Sequence, residues 1–225
     1  RKDIALPEVT TVKPGDAGEV ELSYRNVKEA SIKVYRIDLL KFGLMQRNLD
    51  RITAINLAGI RPYHEMKTEL GDGNDFRGKT KDLKLPLKEE GAYLVVCRGE
   101  NLYASGLVLV SPLKLEIQED STSGRVRVTV KDSQKDRYLR NVLVKVIGSA
   151  NDDFNTGETD LRGIFVADSI RGTSTIIARA DEDRYAFYRG TRSLGNVAQP
   201  QSEGEPTDAA AAPAANNEQE LLQNL

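Results

Sequence analysis

The residues with the most suggestive spacing are GNDFRGKT, positions 73–80, which match the phosphate-cradling pattern G-x-x-x-x-G-K-[ST]. In a working nucleotide site, Lys79 would reach the terminal phosphates and Thr80 would hold a magnesium ion. That chemistry needs a buried strand before the loop and a helix opening directly after it, because the helix amides hold the phosphate. The preceding HEMKTELGD is largely polar. The following KDLKLPLKEEG alternates like a strand and carries Pro86, which breaks a helix six residues after Thr80. The segment therefore reads as a polar loop joining two antiparallel strands, eased by Gly71, Gly73 and Gly78.

Other constellations fare no better. DGNDFRGKTKD has the outline of a calcium loop, but Phe76 stands at the third ligand position and no Glu closes it. His64 is the only histidine, which excludes metal sites built on several. Cys97 and His64 would have to meet in space to act as a nucleophile and base, and nothing in their placement supports that. The carboxylate pairs Glu89-Glu90 and Asp152-Asp153 fall in turns, where solvated charge is the ordinary role. There is no G-x-S-x-G nucleophile elbow. No catalytic residue, cofactor site or metal ligand is assigned, and a non-enzymatic role is expected.

What elements would carry these residues? The chain has 225 residues, 39% hydrophobic and 29% charged, enough for one or two domains with real cores. No apolar run approaches the roughly 18 residues of a membrane span. The start at Arg1 without a recognisable leader is read as an excised or processed piece. Residues 191–225 carry five carboxylates against Arg192, a net of −4, so of the whole-chain −2 the first 190 residues hold about +2. That is too weak a basic footprint for nucleic acid. The single cysteine excludes an internal disulfide, and its setting in YLVVCRG reads as a buried strand thiol.

The dominant pattern is period-two alternation. In GEVELSYRN, Val20, Leu22 and Tyr24 point one way; Leu83, Leu85 and Leu87 do so in DLKLPLK, and Val126, Val128 and Val130 in RVRVTVK. SIKVYRID, AYLVVC, SGLVLV, NVLVKVIG, GIFVAD, STIIARA and RYAFYRG complete the set, the last with Tyr185 and Phe187 expected to face a core. One segment departs: after Asp38 as N-cap, Leu40, Leu44, Met45, Leu49 and Ile52 recur at helical spacing, weakened by Gly43, which predicts a short helical insertion. Strands joined by short turns indicate antiparallel sandwiches. The expected class is all-β, with two tandem sandwiches at 1–111 and 112–190 separated near Ser111-Pro112. Residues 191–225, rich in Ala, Pro, Gln and Glu, are expected to form a disordered linker.

A second motif carries a resemblance. In GETDLRGIF, 157–165, Thr159 ends a strand, Asp160 starts a turn and Gly163 supplies a left-handed position, which predicts a hairpin on a type I turn with a glycine bulge. Together with VTVKDSQKDRYLRNVLVKVIG before it, and with YRNVKEASIKVYRID, LPLKEEGAYLVVCRG and YASGLVLVSPLKL in the first half, it resembles macroglobulin-type domains of the bacterial alpha-2-macroglobulin family over about residues 18–190. The T-D-x-x-G-x-F hairpin also occurs in other surface sandwiches. The resemblance implies a large extracytoplasmic parent, in the periplasm, the envelope or secreted, whose domains entrap a protease. There a bait segment is cleaved and an internal Cys-Gly-Glu-Gln thioester captures the attacker. No thioester residue carries over, since Cys97 is followed by Arg98, Gly99 and Glu100. The implied role is structural: scaffold and contact surface for neighbouring domains and for a protease, with recognition on loops such as 71–82 and 148–157. The alternative is an independent adhesion or carbohydrate-binding sandwich, disfavoured by the absence of Trp.

Overall fold

The structure is a computed structural model that describes residues 1–41, 57 and 59–195. Most of the expected helical insertion (Gly43, Leu44, Met45, Leu49, Ile52) and the tail from 196 lie outside the described residues. Residues 39–41 are helical at its start, and the Asp38 carboxylate accepts from the N–H groups of Leu40 (3.1 Å) and Lys41 (3.3 Å), as an N-cap does.

The chain is all-β and forms two tandem sandwiches. The first uses β1 (Asp3–Ala5), β2 (Val9–Val12), β3 (Gly18–Arg25), β4 (Glu29–Ile37), β5 (His64–Glu69), β6 (Lys79–Leu85), β7 (Gly91–Gly99) and β8 (Leu102–Val110). One sheet has the order β1-β3-β6 and the other β2-β8-β7-β4-β5. All pairings are antiparallel except β2 with β8, which is parallel. Alternation does the folding work: Val20 and Leu22 on β3, Leu83 on β6, and Ile32, Val34, Tyr93 and Val95 opposite them close a core that excludes water.

The second sandwich uses β9 (Leu113–Asp120), β10 (Arg125–Asp132), β11 (Arg137–Tyr138), β12 (Leu143–Gly148), β13 (Asn155–Glu158), β14 (Ile164–Ala167), β15 (Ser174–Ala180) and β16 (Arg184–Arg189). Here β10 pairs with β9 on one side and with β14 and β11 on the other, facing a sheet ordered β13-β12-β15-β16. Val126, Val128, Val130, Val144, Val146 and Ile176 fill the core between them.

Two sequence expectations need correction. The 70–78 loop does not join a pair of neighbouring strands. It leaves β5, which HEMKTE forms despite its polarity because it is the edge strand beside β4, and crosses to β6 in the other sheet. Likewise β13 and β14 do not form a hairpin ladder: β13 pairs with β12 and β14 with β10. The turn between them has the expected chemistry. Gly163 has φ +77 and donates to the Asp160 carbonyl at 2.9 Å, and Asp160 N–H donates to the Ile164 carbonyl at 2.8 Å. Beyond that closure the strands part, so the turn carries the chain from one sheet to the other.

Candidate functional site: the seam between the sandwiches

In most sandwiches one face of each sheet is wet. Here β7 is buried on both faces, as is most of β8, and Leu94, Leu107 and Leu109 are essentially sealed from solvent. Their outward side chains, with Tyr35, Ile37, Leu39 and Leu40, form a third apolar cluster with Ile177 and Tyr185 of the second sandwich, and Leu143 and Phe187 pack at its margin. Strand β16 lies against β7 and β8. This corrects the orientation expected for Tyr185 and Phe187: they face the other sandwich rather than the core of their own. Burial, with the Asp38 carboxylate nearby, pushes the Tyr185 phenol above its ordinary value.

Charged groups rim this cluster. Arg184 bonds the Glu90 carboxylate at 2.8 Å and lies 3.7 Å from the buried Asp132; Glu90 first, with Asp132 adding to it, raises its pKa further. Arg36 pairs with Glu89 at 2.5 Å, donates to the Glu90 carbonyl at 2.9 Å and approaches Asp183 at 3.6 Å. At the far end Arg189 pairs with Glu8 and donates to Thr175 Oγ1 at 3.0 Å. Glu89 and Glu90 are therefore not merely solvated turn charges; they hold arginines across and beside the seam. Partly exposed ion pairs contribute about 0–1 kcal/mol each, whereas each fully buried Leu or Ile contributes about 1.5–3 kcal/mol. The apolar cluster therefore supplies the adhesion and the rim supplies register.

The covalent link is short and held at both ends. Between Val110 and Leu113 stand only Ser111 and Pro112. Ser111 N–H donates to the Val12 carbonyl at 3.0 Å, and its hydroxyl accepts from Leu113 N–H at 3.1 Å. The Pro112 carbonyl accepts from Ser133 N–H at 2.9 Å and Ser133 Oγ at 2.7 Å.

The motifs singled out for chemistry are placed as follows. Lys79 is not free for a phosphate: its ammonium sits 2.6 Å from Asp75 Oδ1, and Asp75 is shut off from solvent. Asp75 also accepts from Asn26 N–H at 2.8 Å, while its own N–H donates to Asn26 Oδ1 at 2.6 Å. Lys79, and after it the Asn26 amide, hold the Asp75 carboxyl below its usual range. Lys79 and Thr80 lie opposite Tyr24 and Ser23 in the β3–β6 ladder, with no helix to present amides. Cys97 is buried on β7, and burial pushes its thiol up to about 11. His64 lies on β5, two strands away across β4, about 10 Å by strand spacing, so the pair does not form. Asp152 and Asp153 are exposed between β12 and β13. Among the described residues, no three His, Cys, Asp or Glu side chains gather as a metal site would require.

The seam was the part that sequence reasoning missed. Its signal was present in the unbroken apolar runs AYLVVC and SGLVLV, since a strand that is apolar on both faces is covered on both.

No protein-family model matches the sequence. No curated protein matches it either. Among solved structures, native alpha-2-macroglobulin from Escherichia coli spanning domains MG0-NIE-MG1 is similar, at 13% identity and TM-score 0.59 over 84% of this chain and 64% of that one. A fragment of the same protein spanning NIE-MG1 matches at 13% identity and TM-score 0.54, over 84% of this chain and 97% of the fragment. A Salmonella alpha-2-macroglobulin mutant matches at 12% identity and TM-score 0.59, with 84% of this chain covering 12% of that protein. The chain thus spans under two thirds of the three-domain fragment and a small part of the Salmonella protein. At these identities the likeness establishes a shared fold.

Proposed function

We propose that this chain is a non-catalytic structural and protein-interaction unit of an alpha-2-macroglobulin-like extracytoplasmic protein. In this reading two domains, 1–111 and 112–190, are held at a fixed mutual angle by the seam, and they contribute to a protease-trapping inhibitor. The observation that carries it is the overlay of both sandwiches on nearly the whole of a two-domain alpha-2-macroglobulin fragment. The seam supports it physically. A sandwich that gives up the outer face of its larger sheet to a neighbour is built to hold that neighbour in place, and a frame that closes on a captured protein has to transmit displacement through rigid joints.

The test uses the protein in which this chain occurs, incubated with trypsin. Entrapment leaves trypsin active on a small chromogenic peptide and blocks its access to a large protein substrate. Unchanged cleavage of both substrates sinks the trapping part of the proposal. The scaffold part is tested separately, on the seam.

A further inference from the structure

The face of the second sandwich turned away from the seam carries an open groove of about 640 Å³. It lies over the outward side of β9 and β10, beside Tyr138 of β11, Ile164 of β14 and the 160–163 turn. Seven large hydrophobic side chains are markedly exposed among the described residues; two of them line this groove, Leu161 at 80% and Tyr138 at 48%, and a third, Val166 at 43%, lies next to it opposite Arg127. An exposed Leu is ordinary when isolated; a clustered set on one sheet face marks an interaction surface.

The groove's lining carries two cations, Arg127 and Arg162, and one carboxylate, Glu116. Arg127 stands in the middle of the central strand, between Gln118 on β9 and Val166 on β14, and is exposed. Among the described residues no carboxylate forms an ion pair with it. The groove's acidic side chain, Glu116, accepts from the Tyr138 hydroxyl at 3.3 Å, and Arg162 is taken by Asp160 at 3.0 Å. A planar guanidinium among apolar walls matches a carboxylate in bidentate fashion.

We propose that this groove docks an acidic–apolar extended segment of a separate partner protein. One carboxylate of the segment meets Arg127, and an adjacent apolar side chain enters the hollow formed by Tyr138, Leu161 and Ile164. The site stands on the outer face alone, so it goes beyond the scaffold reading and does not depend on it.

The experiment titrates the ¹⁵N-labelled full chain with an acetylated octapeptide alternating Leu and Glu, and with a matched Leu/Lys peptide. The acidic peptide is expected to bind with a Kd below about 1 mM and to move amide resonances within 114–118, 125–131 and 161–166. Raising salt from about 50 to 300 mM weakens it. Arg127→Glu weakens binding by at least about tenfold, while Arg127→Lys retains part of it. The position is exposed, so an unchanged melting temperature for both variants separates lost docking from lost folding. Equal binding of the Leu/Lys peptide, shifts confined elsewhere, or indifference to Arg127→Glu would overturn the proposal. Binding that emerges only after residues 196–225 are removed would also overturn it, since the chain's own acidic tail would then be the occupant.

Discussion

Asp75 holds Lys79 and Asn26 together from inside a loop, and its carboxyl is kept anionic below the usual range by that ammonium and the Asn26 amide. A carboxylate whose folded pKa is depressed adds stability above its unfolded value, near 3.8, and that stability is lost as pH falls through the folded value. Urea unfolding at pH 7 and pH 3 should show a smaller acid loss for Asp75→Asn than for the parent chain. Equal acid losses would mean the pairing does not stabilise the fold. Lys79→Ala should weaken the same loop with no nucleotide binding to lose, as calorimetry with ATP and magnesium would check. Cys97 behaves in the opposite sense. With its pKa moved from 9.0 to about 11, its thiolate fraction at neutral pH is about a hundredfold below that of a free thiol. It should resist iodoacetamide in the native state and react promptly in urea; rapid native labelling would place it outside the core. The motif letters of the loop were legible in the sequence. The partner that disarms them was not, since Asn26 lies 49 residues from Asp75. Asn26 takes φ +56 at the β3–β4 turn, which an Asn tolerates, and the side chain is thereby turned to the loop.

At the scale of elements, the turn between β13 and β14 organises the second sandwich. Thr159 is buried, accepts from Val142 N–H at 3.0 Å and donates to the Leu139 carbonyl at 2.6 Å. Thr159→Val strips both bonds from a buried site and should cost about 1–3 kcal/mol. Gly163 is constrained twice: φ is +77, and a Cβ there would lie 2.9 Å from the Tyr138 Cβ and 3.1 Å from the Val130 carbonyl. Gly163→Ala should cost about 1–3 kcal/mol, read as a lower urea midpoint with unchanged slope. A neutral result at either position would show that the turn is a passive connection. The turn residues were readable because Thr, Asp and Gly act locally. The parting of the strands was not, because alternation reports which side chains share a face and not which sheet a strand joins. HEMKTE was passed over for a related reason: an edge strand with polar outward positions carries little periodic signal.

For the whole molecule the controlling feature is the seam. Leu109 lies in it at 0% exposure. Leu109→Ala should remove about 2–5 kcal/mol and should raise hydrogen exchange in β15 and β16 as well as in β8; an effect confined to the first sandwich would mean the seam does not couple them. Combining Glu90→Arg with Arg184→Glu should restore only part of what either single reversal loses, because the pair is re-formed but a carboxylate at 184 then faces the buried Asp132. The apolar runs of β7 and β8 announced that both faces were covered, but composition alone could not say by what. The cover comes from strands about 70 to 90 residues further along the chain, and only three dimensions bring Ile177 and Tyr185 to Leu94 and Leu107.

The rigidity of that joint is the central claim, and amide residual dipolar couplings of the full chain test it most directly. Couplings from residues 1–110 and from 113–190 should fit one common alignment tensor, and the Leu109→Ala variant should begin to separate them. Two distinct tensors in the parent chain would contradict the account, for the sandwiches would then swing about Ser111-Pro112 and the seam would not be a scaffold.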